Sequence, residues 1–214
     1  MNEEDVAVFL RTHPQFFDQH PELLETIRVP HPYGGRAIPL AERQMVSLRE
    51  RTRALEGKLG ELIRIGEEND TIGERVHRLA VALLAAHDFP ALAQALYFNL
   101  REDFTVPHVV LRIWGKALPG GCIEAEAVSD DQRRAAETMG GPQCGPAEGS
   151  PFLPWFGETA SHLRSLALVP LGGTSVFGLL GLGSEDGGRF YPEMGTLYLR
   201  RIGELCAVGV GGRS

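Results

Sequence analysis

From Pro39 to about Ala86 apolar residues recur at helical spacing within an otherwise charged stretch, and the pattern predicts one long helix. Leu48, Leu55, Leu59 and Leu62 alternate four- and three-residue steps, with Thr52 at one weak position. The stripe continues through Ile65, Asn69, Ile72, Val76, Leu79 and Leu83. Two three-residue steps between Leu59 and Ile65 read as a stammer in a coiled coil. Gly57, Gly60, Gly66 and Gly73 each cost roughly 1 kcal/mol relative to alanine inside a helix. Such a helix is marginal alone, so Leu48, Leu55, Leu59, Leu62, Ile65, Asn69, Ile72 and Val76 are expected to form a seam with a second copy. The competing reading is a helix folded back on its own domain. Direction stays open. Asn69 on the seam hints at a parallel pair, whereas the basic first half (Arg43, Arg49, Arg51, Arg53, Lys58) and acidic second half (Glu61, Glu67, Glu68, Asp70, Glu74) favour an antiparallel one.

Ahead of this helix, His13-Pro14 and His20-Pro21 each read as the start of a short helix, since proline suits the first helical turn. Phe9, Leu10, Phe16, Phe17, Leu23, Leu24 and Ile27 make a small apolar cluster, and Pro30, Pro32, Gly34 and Gly35 a turn or linker. Downstream, Leu92, Leu96, Leu100 and Phe104 mark a second helix. The period then changes. Val109–Trp114 reads as a strand, with a weaker partner near Cys122–Val128. Residues 130–139 suggest a short exposed helix, and Cys144 sits in a loop or brief strand. Ser150 would cap a short helix carrying Phe152, Trp155 and Phe156. Ser165–Leu171 and Val176–Gly183, joined by Gly172-Gly173-Thr174-Ser175, form a hairpin. A last helix runs from about Pro192 to Val208. The fold class is α+β: an antiparallel sheet flanked by helices, preceded by a long helix and a small helical cluster. The domains are residues 1–37, 38–87 and 88–214.

Composition narrows the function. The 214 residues are 43% hydrophobic and 23% charged, and the net charge of −7 argues against direct nucleic-acid binding. No run reaches the roughly 20 apolar residues of a membrane span. The acidic start, Met1-Asn2-Glu3-Glu4-Asp5, lacks the basic region of a signal peptide. Three widely spaced cysteines, without a CxxC pair, read as reduced thiols. These features together lead to the expectation of a cytoplasmic protein.

The stretch from Ser165 to Val208 resembles the closing half of a GAF domain, through Ala167-Leu168-Val169-Pro170-Leu171, Gly178-Leu179-Leu180-Gly181-Leu182-Gly183, Arg189-Phe190 and the final helix. The N-terminal half resembles the bacterial domain-of-unknown-function family 484. The residues that carry this are Phe9-Leu10, His13-Pro14, Phe16-Phe17, Pro21, Leu23-Leu24, Pro30-His31, Gly35, Leu40, Glu42-Arg43-Gln44, Leu48-Arg49, Leu55-Glu56, Leu59, Leu62, Asn69 and Leu79. Pro39 departs from the pattern, which has serine there. The resemblance implies a GAF-like fold and no assigned activity.

Candidate chemistry is sparse. A GAF-type ligand would need a pocket over the sheet with a few convergent polar groups. Arg112, within an apolar strand, either points into such a pocket to meet an anion or takes the solvent face, which alternation favours. Trp114, Phe152, Trp155 and Phe156 either line that pocket or fill the core. Cys122 and Cys144 could form a redox pair as in GAF-fold methionine-sulfoxide reductases, but inert thiols fit better. The histidines show no metal-ligand spacing, and no nucleophile elbow or phosphate loop is present. The expected function is therefore a non-enzymatic, cofactor-free regulatory or small-molecule-sensing module that dimerises through its N-terminal helices. An interaction scaffold with a degenerate pocket, or a thiol-dependent reductase, is the alternative.

Overall fold

The computed structural model describes residues 2–29, 38–173 and 175–212. The turn expected around Pro30–Gly35, and Thr174 in the hairpin loop, lie outside them. Backbone contacts divide the chain into two units, Met1–Glu67 and Glu68–Ser214, and the division falls inside the long helix.

In the first unit, α1 spans Glu3–Thr12 and opens on a reciprocal cap: Asn2 accepts from the Asp5 amide, and Asp5 accepts from the Asn2 amide. The short helices α2 (Phe16–Gln19) and α3 (Glu22–Thr26) follow the two His-Pro pairs as expected. Phe9 stacks on His13 with ring centroids 4.4 Å apart and meets Phe16 edge-on at 5.8 Å. No residue of α1 is buried, so these rings leave their outer faces in solvent. Strands β1 (Arg28–Val29) and β2 (Ile38–Pro39) pair antiparallel. Helix α4 then runs unbroken over Leu40–Ala85.

The second unit is an α+β domain. Helix α5 (Phe89–Glu102) starts where Asp88 accepts from the Ala91 amide at 2.8 Å, with Pro90 in the first turn. Strand β3 (His108–Ile113), α6 (Asp130–Glu137), β4 (Gln143–Pro146), a 3-10 segment (Leu153–His162) where a Ser150-capped helix was expected, β5 (Ser165–Leu171), β6 (Gly178–Ser184) and α7 (Leu197–Gly211) follow. The sheet is antiparallel in the order β3-β6-β5-β4. Its register stacks Val109 on Leu182, Leu111 on Leu180 and Val169 on Leu180. These residues face one helical layer in which Leu79, Leu83, Leu92, Leu96, Leu100, Ile202 and Cys206 are buried. Gly203 makes the close approach of α7 to β5: a Cβ there would sit 2.6 Å from Val169 Cγ1.

Two expectations are corrected. The weak strand near Cys122–Val128 is instead a 3-10 turn, Ile123–Ala125, beside β3. Its glutamates are held by side chains rather than by a ladder: Tyr97 Oη donates to Glu124 at 2.8 Å and Arg112 to Glu126 at 2.6 Å. Helix α7 begins at Leu197 rather than Pro192, after a turn in which Met194 N donates to Tyr191 O and Gly195 weakens helical continuation.

Candidate functional site

Period two decides which face of the sheet each side chain joins. Val109, Leu111 and Ile113 face the helical layer, so Val110, Arg112 and then Trp114 face the other side. There Arg112 lies opposite Leu179 of β6. Phe152, Leu168, Leu179 and Ala136 form a second small core, with Trp114 and Trp155 packed on it. Phe156 joins an adjoining cluster with Ala147, Leu163 and Leu166. Its ring lies over Gly183, where a Cβ would come 3.1 Å from it. All five candidate ligand residues therefore gather on the sheet face away from α5 and α7.

Arg112 is not on a solvent face. Only 6% of it is exposed, because its strand is covered on both sides. Its guanidinium donates to Glu126 and to the Leu111 carbonyl, and lies 5.9 Å from the Trp155 ring centroid. Trp155 in turn meets Phe152 edge-on at 5.0 Å. Among the described residues two buried donors have no acceptor, Trp114 Nε1 on this face and Arg133 Nε in α6. Below, burial and the bond to Glu124 hold the Tyr97 phenol well above its ordinary range. The arrangement can present buried N–H donors to an anion. Phe152 packs into this face with 1% of its surface exposed, while Trp114 and Trp155 remain partly exposed.

Cys144 lies in β4 at one edge of the sheet, whereas Cys122 precedes the 3-10 turn beside β3 at the other edge. Cys122 and Cys144 are both half-buried free thiols, burial raises the Cys144 thiol, and Cys206 is fully buried in α7.

The depressions lie elsewhere. A groove of about 500 Å³ runs between α4 and α7, floored by Val76, Leu83 and Leu205 and rimmed by His77, Arg201 and Val208. Another of about 390 Å³ lies between Gly140-Gly141, Gly172-Gly173 and Arg200 of α7. Neither is lined by any of the five candidate residues.

The seam residues of α4 separate into two groups. Leu48, Leu55, Leu59, Leu62 and Ile65 are exposed, between 40% for Ile65 and 65% for Leu62, as is the neighbouring Met45. Ile72 and Val76 pack against the domain's own core. Asn69 is exposed, and its carbonyl accepts from Tyr198 Oη at 2.8 Å. Sequence reasoning missed Glu126, Glu124 and Tyr97, for nothing in their spacing signals contacts that are made across 14 and 27 positions.

With this geometry in hand, the chain can be compared with known proteins. The family described as a protein of unknown function, DUF484, matches residues 1–211. The chain belongs to the DUF484 family. Two relatives, both described as the uncharacterized protein YigA, come from Salmonella typhimurium and Shigella flexneri. Each is 25% identical over 209 residues, covering 94% of this chain and 88% of the relative. Among solved structures, the A. aeolicus nlh2 GAF domain in an inactive state superposes with a TM-score of 0.50 at 18% identity, covering 68% of this chain and 99% of that one. The DUF484 chain thus has a GAF-like fold, behind a long helix. Among the described residues no helix is long and apolar enough to cross a membrane.

Proposed function

We propose that this DUF484 protein is a non-enzymatic GAF-like regulatory module that acts as a homodimer through α4 in the cytoplasm. One observation carries the reading: Leu48, Leu55, Leu59 and Leu62 stand exposed in a row on a helix weakened by four glycines. Helices owe most of their stability to packing of an apolar face, so this row calls for a partner surface. Regulation would then be a population shift. Whatever favours one packing of the domain on α4 also favours one state of the helix pair. Light scattering tests the first part, with a mass twice the 23.4 kDa chain expected and a concentration-independent single-chain mass counting against it.

A second reading, small-molecule sensing on the aromatic face, is favoured by the orphan Trp114 donor on the same face as the charged Arg112. Its ligand would carry acceptor oxygens to meet these donors. Thermal shifts against nucleotides, phosphates and carboxylates test this, since a binder of the native state raises the midpoint by mass action. No shift with any of them would leave the scaffold reading alone.

A further inference from the structure

The exposed row and the groove belong to one heptad frame. Met45, Thr52, Leu59, Gly66, Gly73 and Ala80 repeat every seven residues, and so do Leu48, Leu55, Leu62, Asn69, Val76 and Leu83. These are the a and d positions of an unbroken seam. The stammer vanishes once Ile65, Ile72 and Leu79 are read as a separate column; Ile72 and Leu79 pack on the domain core, as do Val76 and Leu83 at the domain end of the seam. The α4 wall of the groove is Gly73, Val76, His77, Ala80, Leu83 and Leu84, and four of these six are seam positions. The groove is thus the seam itself, flanked by α7.

From this geometry we infer that the groove seats the first turns of α4 from a second copy, in an antiparallel pair whose two-fold axis passes between Leu59 and Leu62. This rests on the dimer reading above and adds its direction and register. In an antiparallel pair a positions meet d positions across the axis. Centred there, Met45 meets Val76, Leu48 meets Gly73, Thr52 meets Asn69, Leu55 meets Gly66 and Leu59 meets Leu62, each contact occurring twice by symmetry. Both seam glycines face a leucine, and the two polar seam residues face each other. Side-chain volume is therefore shared evenly along the seam, as close packing requires. The charge halves match as well: Arg49 of one copy and Asp70 of the other are both e positions, which meet across an antiparallel seam, and the basic half lies along the acidic half. In-register parallel pairing does the reverse. It sets Gly66 on Gly66 and Gly73 on Gly73, leaving two under-filled layers, and lays like charge along like charge. Met45 and Leu48, both more than half exposed, then gain Gly73, Val76 and Val208 of the second copy as a seat.

Cysteine pairs read the direction. Positions 52 and 69 lie about 25 Å apart along one helix, too far for an internal disulfide. The double variant Thr52→Cys with Asn69→Cys should oxidise to a covalent dimer whose linked peptides join 52 to 69, with Thr52→Cys alone giving none. A 52–52 link in the single variant means a parallel pair and overturns the inference. A chain that stays dimeric by light scattering yet links in neither variant overturns it too. A chain that is monomeric throughout overturns the dimer reading itself. Val208→Arg tests the seat: it is 74% exposed, so folding should be unaffected, while the dimer dissociation constant should rise at least tenfold. An unchanged constant removes the groove from the interface.

Discussion

Arg112 has a buried guanidinium tied to a half-exposed carboxylate, and the two ends respond differently to removal. Taking away Glu126 leaves a charge with one weak carbonyl partner, whereas replacing Arg112 by an apolar chain leaves nothing charged behind. Glu126→Ala should therefore cost about 1–3 kcal/mol in urea denaturation. Adding Arg112→Met to it should restore part of that loss. A double variant no more stable than Glu126→Ala would show that packing against Trp155, not charge, is what Arg112 supplies. Cys206 gives a pH signature. Burial pushes its thiol from 9.0 up to about 12, so the folded chain keeps a proton that the unfolded chain gives up. The folded state binds more protons over that interval, and this contribution to stability is present below pH 9 and lost as pH climbs toward 12. Unfolding midpoints should fall across that range, and a Cys206→Ala variant should show a shallower fall. At neutral pH a thiol reagent should label Cys206 only after unfolding.

At the scale of elements, α4 combines a domain-packed end with an exposed stretch in the first unit. Gly57 and Gly60 have nothing within 4 Å of an added Cβ and lie outside the a and d columns. Gly57→Ala and Gly60→Ala should each stabilise the helix by about 1 kcal/mol. Thermal denaturation by circular dichroism checks this, and a loss of stability would mean that a partner surface approaches those positions closely. The same element shows how far pattern reading reached. The long span was evident from the periodicity of its leucines, whereas α1, opened by the Asn2 cap, was not read from the sequence. The β3 pairing was not evident, because Glu124 and Glu126 follow an alternation that suits a strand. Their side chains are instead drawn to Tyr97 and Arg112, which lie far away in sequence.

For the whole molecule, an association equilibrium makes stability depend on concentration. If the α4 pair forms, the unfolding midpoint should rise between micromolar and hundred-micromolar chain, and Leu55→Asp with Leu62→Asp should abolish that dependence. A midpoint independent of concentration in the unmodified chain would count against the pair. Sequence alone determined the order of elements, the long helix and the GAF-like hairpin, since these follow from short-range periodicity and turn residues. It also determined the seven-residue frame, which is a property of the sequence whether or not a partner is bound. Tertiary structure alone decided that Arg112 is buried and paired, that Phe152 packs into the face where a ligand was expected, and that the α4 positions from Gly73 to Leu84 border a groove against α7. Each of these depends on which distant segments pack together. Alternation along β3 says that Arg112 differs from Leu111 in direction, but only the covering layer says whether that direction leads to water or to Trp155.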